Sequence, residues 1–185
     1  MRITKIILVI FMFVVLSICA VADVQQTPAT ANNTAQDFTL TDQDGKLWTL
    51  GEVLKNHRGV LLAFYPKDDT SLWIKQFVEF QQNIKKYEES NIKILGLSRD
   101  SAESHRNFIA KHKLNDLTLL VDEKGKVAKL YKADHWLLPL SRRVYVIIDK
   151  NMNVIYRKDM GFVMGFGLLE NQTQTLLGEI ERNIK

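Results

Sequence analysis

Few residues in this sequence could perform acid, base or nucleophilic chemistry. Asp68 and Asp69 are adjacent and could form an acid–base pair, but they lack a nucleophile to activate, so we interpret both as solvated loop residues. The histidines lack the spacing of metal ligands, and we interpret them as solvent-facing, with His105 on a helix surface. The four histidines are His57, His105, His112 and His135.

Sulfur chemistry is restricted to one position. Cys19 is the only cysteine of the chain, and it lies in an N-terminal segment with the features of an export signal. Two basic residues precede an apolar run over 6–18, and Ala20-Val21-Ala22 offers small residues for cleavage. We therefore expect residues 1–22 to be a signal peptide and the exported protein, periplasmic or secreted, to contain no cysteine. The absence of cysteine excludes disulfides, thiolate metal sites and cysteine nucleophiles from the exported protein.

The N-terminal segment leaves two alternatives open. Its apolar run is shorter than the roughly 20 residues of a membrane span, but an uncleaved anchor is one alternative, and only then do we expect membrane contact. Lipidation is the other, because residues 16–19 resemble a lipoprotein box apart from the bulky Ile18. Residues 23–35 are predicted to form a flexible linker, and residues 36–185 one domain.

The charge pattern does not favour nucleic acid as a partner. The formal net charge is +4, and the Lys and Arg residues are scattered along the chain. Surfaces that bind single-stranded nucleic acid interleave basic and aromatic residues, and no such run is present. We expect no cofactor and no metal.

Alternating hydrophobic patterns predict an α/β fold from about residue 36. The continuous apolar run at 60–65 predicts a buried central strand, and apolar residues at 73, 77, 80, 84 and 87 share one helical face. Strands are predicted at 38–41, 47–50, 60–65, 92–98, 117–121, 143–148 and 154–157, and helices at 73–87, 101–112, 127–131 and near the C terminus. We expect a central mixed sheet flanked by helices on both faces.

One segment carries a family resemblance. FYPKDDTSLWIKQ (64–76) resembles the active-site segment of peroxiredoxins, particularly the bacterioferritin comigratory protein or peroxiredoxin Q type. That family's pattern is Pro, three residues, Thr or Ser, two residues, Cys. Pro66 and Thr70 match it, and Trp73 stands at the cysteine position. The resemblance implies a thioredoxin-like fold and descent from a thiol peroxidase.

Further agreements extend the resemblance over about residues 35–156. DFTLTDQDGK (37–46) and SRDSAESHRNF (98–108) resemble two other family segments, and Arg143 matches the arginine that the family places beside its thiolate. The departures cluster around the active site. Ser71-Leu72 replaces the usual Pro-Gly, Ile74 replaces Thr, Val78 replaces a resolving cysteine of many relatives, and Arg142 replaces a common Pro.

Each degenerate site residue has a functional and a structural interpretation. Trp73 either plugs the former peroxide pocket or is a core residue on the 73/77/80 stripe. In the family, Thr70 and Arg143 hold the peroxide, so here they could bind a small anion at a helix N-terminus. Alternatively, Thr70 caps the helix and Arg143 forms a salt bridge to Asp or Glu.

Two apolar stretches, 135–140 and 161–169, are candidate interaction surfaces. If exposed, they mark contacts with a partner or a membrane, and if buried, they close the ends of the sheet. The residues concerned are Trp136, Leu137, Leu138, Phe162 and Phe166.

The sequence supports one main functional hypothesis and two alternatives. The main hypothesis is an exported peroxiredoxin-like protein that has lost thiol-peroxidase activity and binds an envelope protein or a small anion. The first alternative is a thioredoxin-dependent antioxidant peroxiredoxin that reduces hydrogen peroxide and organic hydroperoxides. The second is sacrificial scavenging of oxidants by Met152, Met160 and Met164.

Overall fold

The computed structural model describes residues 33–161 and 171–184. The predicted signal peptide, nearly all of the predicted linker, and Phe162 and Phe166 lie outside the described residues. Within the described part, no helix is long and apolar enough to cross a lipid bilayer.

Seven strands and six helices occupy the described residues. In chain order they are β1 (Thr39–Thr41), β2 (Leu47–Thr49), α1 (Leu50–Asn56), β3 (Gly59–Phe64), α2 (Ser71–Gln82), α3 (Ile84–Glu89), β4 (Ile92–Ser98), α4 (Ala102–His112), β5 (Thr118–Val121), α5 (Lys126–Leu130), β6 (Val144–Asp149), β7 (Val154–Asp159) and α6 (Gln172–Asn183). Strands β1 and β2 form a separate antiparallel hairpin.

The central sheet has five strands in the order β5-β4-β3-β6-β7. Strands β3, β4 and β5 are parallel, and β6 and β7 run antiparallel to their neighbours. All six residues of β3 are buried, which explains its continuous apolar sequence. Because β6 is antiparallel to β3, Val144 pairs with Phe64. This register brings Arg143 beside the loop that follows β3.

Two apolar layers, one on each face of the sheet, hold the helices. Successive side chains of a strand point to opposite faces, so Leu61 and Ala63 belong to one layer and Leu62 and Phe64 to the other. The first layer contains buried residues of α2, α3, α4 and α6, and the second contains those of α1 and α5. The predicted mixed sheet with helices on both faces is confirmed.

One local prediction was wrong, and one helix was missed. The helix predicted at 73–87 is two helices, because the chain breaks at Asn83, whose side-chain amide donates to the Glu79 carbonyl at 2.9 Å. Helix α1 was not predicted at all. It has only seven residues, and its apolar contacts come from Leu50, Val53 and Leu54, too few to show a period.

Replacing a glycine in β4 tests how the sheet packs against α2. A Cβ added at Gly96 would lie 2.5 Å from Leu119 Cδ2 and 2.9 Å from Phe77 Cε1. We expect Gly96→Ala to lower the free energy of unfolding by about 2 kcal/mol, because the overpacked core must shift. Urea denaturation followed by circular dichroism measures the loss.

Gly178→Ala is the matched control, since only Arg182 Nη2, at 3.9 Å, approaches a Cβ there. In the middle of α6, alanine should raise stability by about 0.5–1 kcal/mol. If both variants were as stable as the parent chain, the packing described here would be wrong.

Candidate functional site

The loop between β3 and α2 carries the first predicted site residues. Pro66 is buried, and Thr70 is the N-cap residue of α2, with its carbonyl accepting from the Trp73 amide at 2.9 Å. The Thr70 hydroxyl donates to the Lys67 carbonyl at 3.1 Å and makes no capping hydrogen bond. Thr70 therefore stands at the predicted cap position, but its side chain does not cap the helix, and the exposed hydroxyl stabilises the loop.

Trp73 lies in the first turn of α2 and is 8% exposed. Its ring belongs to the apolar layer that contains Phe77 and Phe80, as expected for the 73/77/80 stripe. The guanidinium carbon of Arg143 lies 5.2 Å from the centroid of the indole ring. This distance is within the range of a cation–π interaction. Trp73 is thus both a core residue and the direct neighbour of Arg143.

Arg143 is 5% exposed and makes few polar contacts. Its Nε donates to Gln76 Oε1 at 3.1 Å, and its Nη2 is buried without a hydrogen-bond partner. None of the ion pairs between described residues involves Arg143, so the described part of the chain does not contain the predicted salt bridge to Asp or Glu. A buried charge without a counterion is costly unless other groups compensate for it.

The described groups in contact with Arg143 are aromatic or amide side chains. The Tyr145 ring centroid is 5.9 Å from the guanidinium carbon, and the Tyr145 hydroxyl donates to Gln172 Oε1. Burial raises the pKa of Tyr145 well above its ordinary value, and the nearby Arg143 opposes this only in part. The phenol therefore remains neutral and does not balance the arginine.

Unpaired donors dominate this centre. Gln76 Nε2, Arg143 Nη2 and Gln172 Nε2 are all buried without partners. These nitrogens can only donate, so the arrangement suits a group that accepts hydrogen bonds. The described residues contain no cysteine, so no thiolate lies among these donors. They also contain no group of three or more His, Cys, Asp or Glu side chains able to hold a metal ion.

A second polar cluster joins the same loop to α4. Asp68 Oδ1 accepts from the Tyr65 hydroxyl at 2.8 Å, and Asp68 Oδ2 lies 2.7 Å from the Ser104 hydroxyl and 2.9 Å from His105 Nδ1. Burial, and then the charge of Asp68, raise the pKa of Tyr65 well above its ordinary value, so the phenol keeps the proton that it donates. We call Tyr65, Asp68, Ser104 and His105 the Asp68 cluster.

The Asp68 cluster corrects two predictions made from the sequence. His105 is fully buried and Asp68 is 5% exposed, so neither is the solvated residue that we expected. Asp69, in contrast, is exposed, but it is bound to α4 by Lys111 Nζ at 3.0 Å and His112 Nε2 at 2.9 Å. The hydrogen bond from His112, followed by that from Lys111, lowers the pKa of Asp69. Two adjacent carboxylates therefore attach the loop to one helix.

The predicted interaction residues lie elsewhere in the fold. Trp136, Leu137 and Leu138 are exposed, so this stretch does not close the sheet. Thr70 and Trp73 lie at the start of α2, and Arg143 contacts Trp73 but makes no described contact with Thr70.

Sequence reasoning missed several residues of both polar clusters. Gln76 follows Trp73 by three positions on the same helical face, and Tyr145 follows Arg143 by two on the same strand face, so the periodicity could have revealed both. Tyr65, Ser104 and Gln172 carry no such signal, because their contacts join distant segments of the chain.

Replacing Asp68 tests whether the cluster holds the loop. Asp68→Asn keeps the shape of the side chain but removes the charged acceptor for three donors. We expect the free energy of unfolding to fall by about 3 kcal/mol, because hydrogen bonds to charged groups contribute about 1.5–3 kcal/mol each and the buried donors remain. Chemical denaturation at neutral pH measures the difference.

Asp69→Asn is the adjacent control, with a smaller expected loss because its ion pairs are solvated. Since the pKa of Asp69 is lowered in the folded protein, its contribution is present above the ordinary aspartate pKa of about 3.9. That contribution disappears as the pH falls through the lowered pKa. Equal losses for the two variants at neutral pH would contradict the structural role assigned to the Asp68 cluster.

Comparisons with known proteins agree with this architecture. Residues 31–157 match the AhpC/TSA family. Over 124 residues, 66% of this chain and 55% of the relative, the chain is 39% identical to the chloroplastic peroxiredoxin Q of Oryza sativa subsp. japonica. It is 40% identical to a putative peroxiredoxin bcp of Helicobacter pylori over 99 residues, 54% of this chain and 63% of the relative. These matches thus span less than two thirds of either relative.

Solved structures show the same fold. The peroxidoxin BcpB of Mycobacterium tuberculosis superposes with a TM-score of 0.71 at 26% identity, covering 80% of this chain and 94% of that one. The bacterioferritin comigratory protein of Xanthomonas campestris gives 0.68 at 21% identity, covering 80% and 92%, which supports the fold alone. The chain belongs to the AhpC/TSA family, as a peroxiredoxin of the bacterioferritin comigratory protein or peroxiredoxin Q type.

Proposed function

We propose that this protein is an exported peroxiredoxin-family member that no longer reduces peroxides and instead binds a small anion at Arg143. One observation carries the proposal. Trp73 is buried against Arg143, at the position where the family resemblance expects the reactive cysteine. The family's chemistry needs a thiolate, which attacks the peroxide and becomes a sulfenic acid. Indole offers no such nucleophile, and Cys19 is the only thiol in the sequence.

The anion is proposed because no described carboxylate balances the charge at Arg143. The guanidinium is buried, no described carboxylate pairs with it, and the indole face compensates for only part of the lost hydration. Guanidinium groups bind planar carboxylates through two parallel hydrogen bonds. Arg143 Nη2 and Gln76 Nε2 are the donors left for such a ligand. A small carboxylate, such as acetate, is therefore the ligand class that we favour.

Thiol peroxidase activity is the competing function, and membership of the AhpC/TSA family favours it. It would need a nucleophile other than residue 73. Cys19 is the single thiol available, and it lies outside the described residues. The competing function therefore predicts that peroxide reduction depends on Cys19.

Peroxide turnover separates the two functions. We expect the full chain, supplied with a thiol reductant, to consume hydrogen peroxide no faster than a protein-free control, and Cys19→Ser to change nothing. Trp73→Cys in the Cys19→Ser background should gain a thiol that peroxide oxidises, because Arg143 then adjoins a sulfur atom. Turnover by the unmodified chain above the control rate would overturn the proposal.

Anion binding is measured by thermal unfolding at constant ionic strength in acetate and in chloride. A ligand that binds only the folded state stabilises it by RT ln(1 + [L]/Kd), which is about 1.4 kcal/mol at ten times Kd. We expect acetate to raise the Tm of the parent chain and to leave that of Arg143→Gln unchanged.

Arg142→Gln provides a matched control, because Arg142 is adjacent, partly exposed and already paired with Asp159 at 2.7 Å. Its acetate response should equal that of the parent chain. An equal response of Arg143→Gln would show that acetate acts through the general surface, and the anion site would be wrong.

A further inference from the structure

The loop between α5 and β6 exposes a run of apolar side chains. Trp136 is 85% exposed, Leu137 is 68% exposed and Leu138 is 40% exposed. Pro139, which follows them, is also exposed. We call residues 136–139 the apolar tip. Single exposed apolar residues are ordinary, but three large ones in succession indicate a contact surface.

The apolar tip is held in place by its own hydrogen bonds. At its base, Asp134 and Ser141 form an isolated antiparallel bridge, and the His135 amide donates to the Leu140 carbonyl at 3.0 Å. His135 Nδ1 accepts from the amides of Leu137 and Leu138 at 3.2 and 3.0 Å. The exposed side chains are therefore presented by an ordered turn, and they do not need to be ordered on binding.

The area of the apolar tip is too small for a stable protein–protein interface. Trp136, Leu137 and Leu138 together expose on the order of 400 Å², whereas a stable complex buries about 800 Å² on each partner. Insertion into a lipid interface has no such minimum area, because each side chain that enters contributes separately. Tryptophan and leucine are also the side chains that such interfaces accept.

The charges at the base of the apolar tip are mostly positive. The segments 129–142 and Val154–Asp159 contain five Lys and Arg residues against two Asp residues. Strand β7 is tied to this base, since Arg157 Nη2 donates to the Lys132 carbonyl at 2.9 Å and Arg142 pairs with Asp159. Two copies meeting through this surface would bring like charges together, whereas an anionic membrane attracts the basic residues.

We propose that the apolar tip docks the domain on anionic phospholipid surfaces. Trp136 and Leu137 enter the interface between headgroups and acyl chains, and the basic residues at the base contact lipid phosphates. This docking is independent of the anion site at Arg143, because the two surfaces share no residue.

The test uses the full chain labelled with 5-fluorotryptophan, so that Trp48, Trp73 and Trp136 are followed separately by fluorine NMR. Vesicles of phosphatidylcholine and phosphatidylglycerol carry a spin-labelled headgroup lipid. We expect selective loss of the Trp136 resonance, while the partly buried Trp48 and the buried Trp73 retain theirs. Vesicles without phosphatidylglycerol should leave all three resonances intact.

Substitutions at two leucines with equal exposed fractions provide a matched test and control. Leu137→Ser should weaken the vesicle titration of the Trp136 resonance about tenfold. Leu47→Ser, at a position that is also 68% exposed but lies in the β1–β2 hairpin, should leave it unchanged. A Trp136 resonance that survives phosphatidylglycerol vesicles would overturn the proposal, as would equal loss in the neutral vesicles. Concentration-dependent broadening without vesicles would identify a second copy of the chain as the partner and would also overturn it.

Discussion

The contact between the Arg143 guanidinium and the Trp73 indole is the constraint on which the proposed function depends. A buried arginine normally requires a carboxylate, and here it has an aromatic face, one amide oxygen and an unpaired nitrogen. The same indole occupies the start of α2, where a reactive thiol is expected by family resemblance. The proposed loss of thiol chemistry and the partial compensation of the Arg143 charge therefore rest on the same side chain.

The scaffold around this contact is held in place by interactions that involve no catalytic group. The antiparallel register of β3 and β6 fixes Arg143 relative to the loop after β3, and the Asp68 cluster attaches that loop to α4. Thr70 and Trp73 are held at the end of the loop by α2. None of these interactions needs sulfur, so the arrangement around Trp73 does not depend on a thiol.

Sequence patterns predicted the parts of the structure that depend on local periodicity. The buried run at 60–65 and the apolar stripe of α2 correspond to real elements, because burial on both faces and on one helical face produce distinct patterns. Asp68 and His105 were misinterpreted because polarity alone suggests solvent. The contacts that join Tyr65 and Asp68 to Ser104 and His105 span 36 to 40 residues of sequence. The exposure of Trp136 could not be predicted, because an apolar run has the same sequence pattern whether it is buried or exposed.

The group that lies against Arg143 Nη2 decides whether an anion binds there, and a crystal structure of the full chain grown in acetate would reveal it. We predict that the indole of Trp73 lies over the guanidinium and that a bound anion accepts a hydrogen bond from Nη2. A carboxylate of the protein itself paired with Arg143, or an indole turned away from it, would contradict the account.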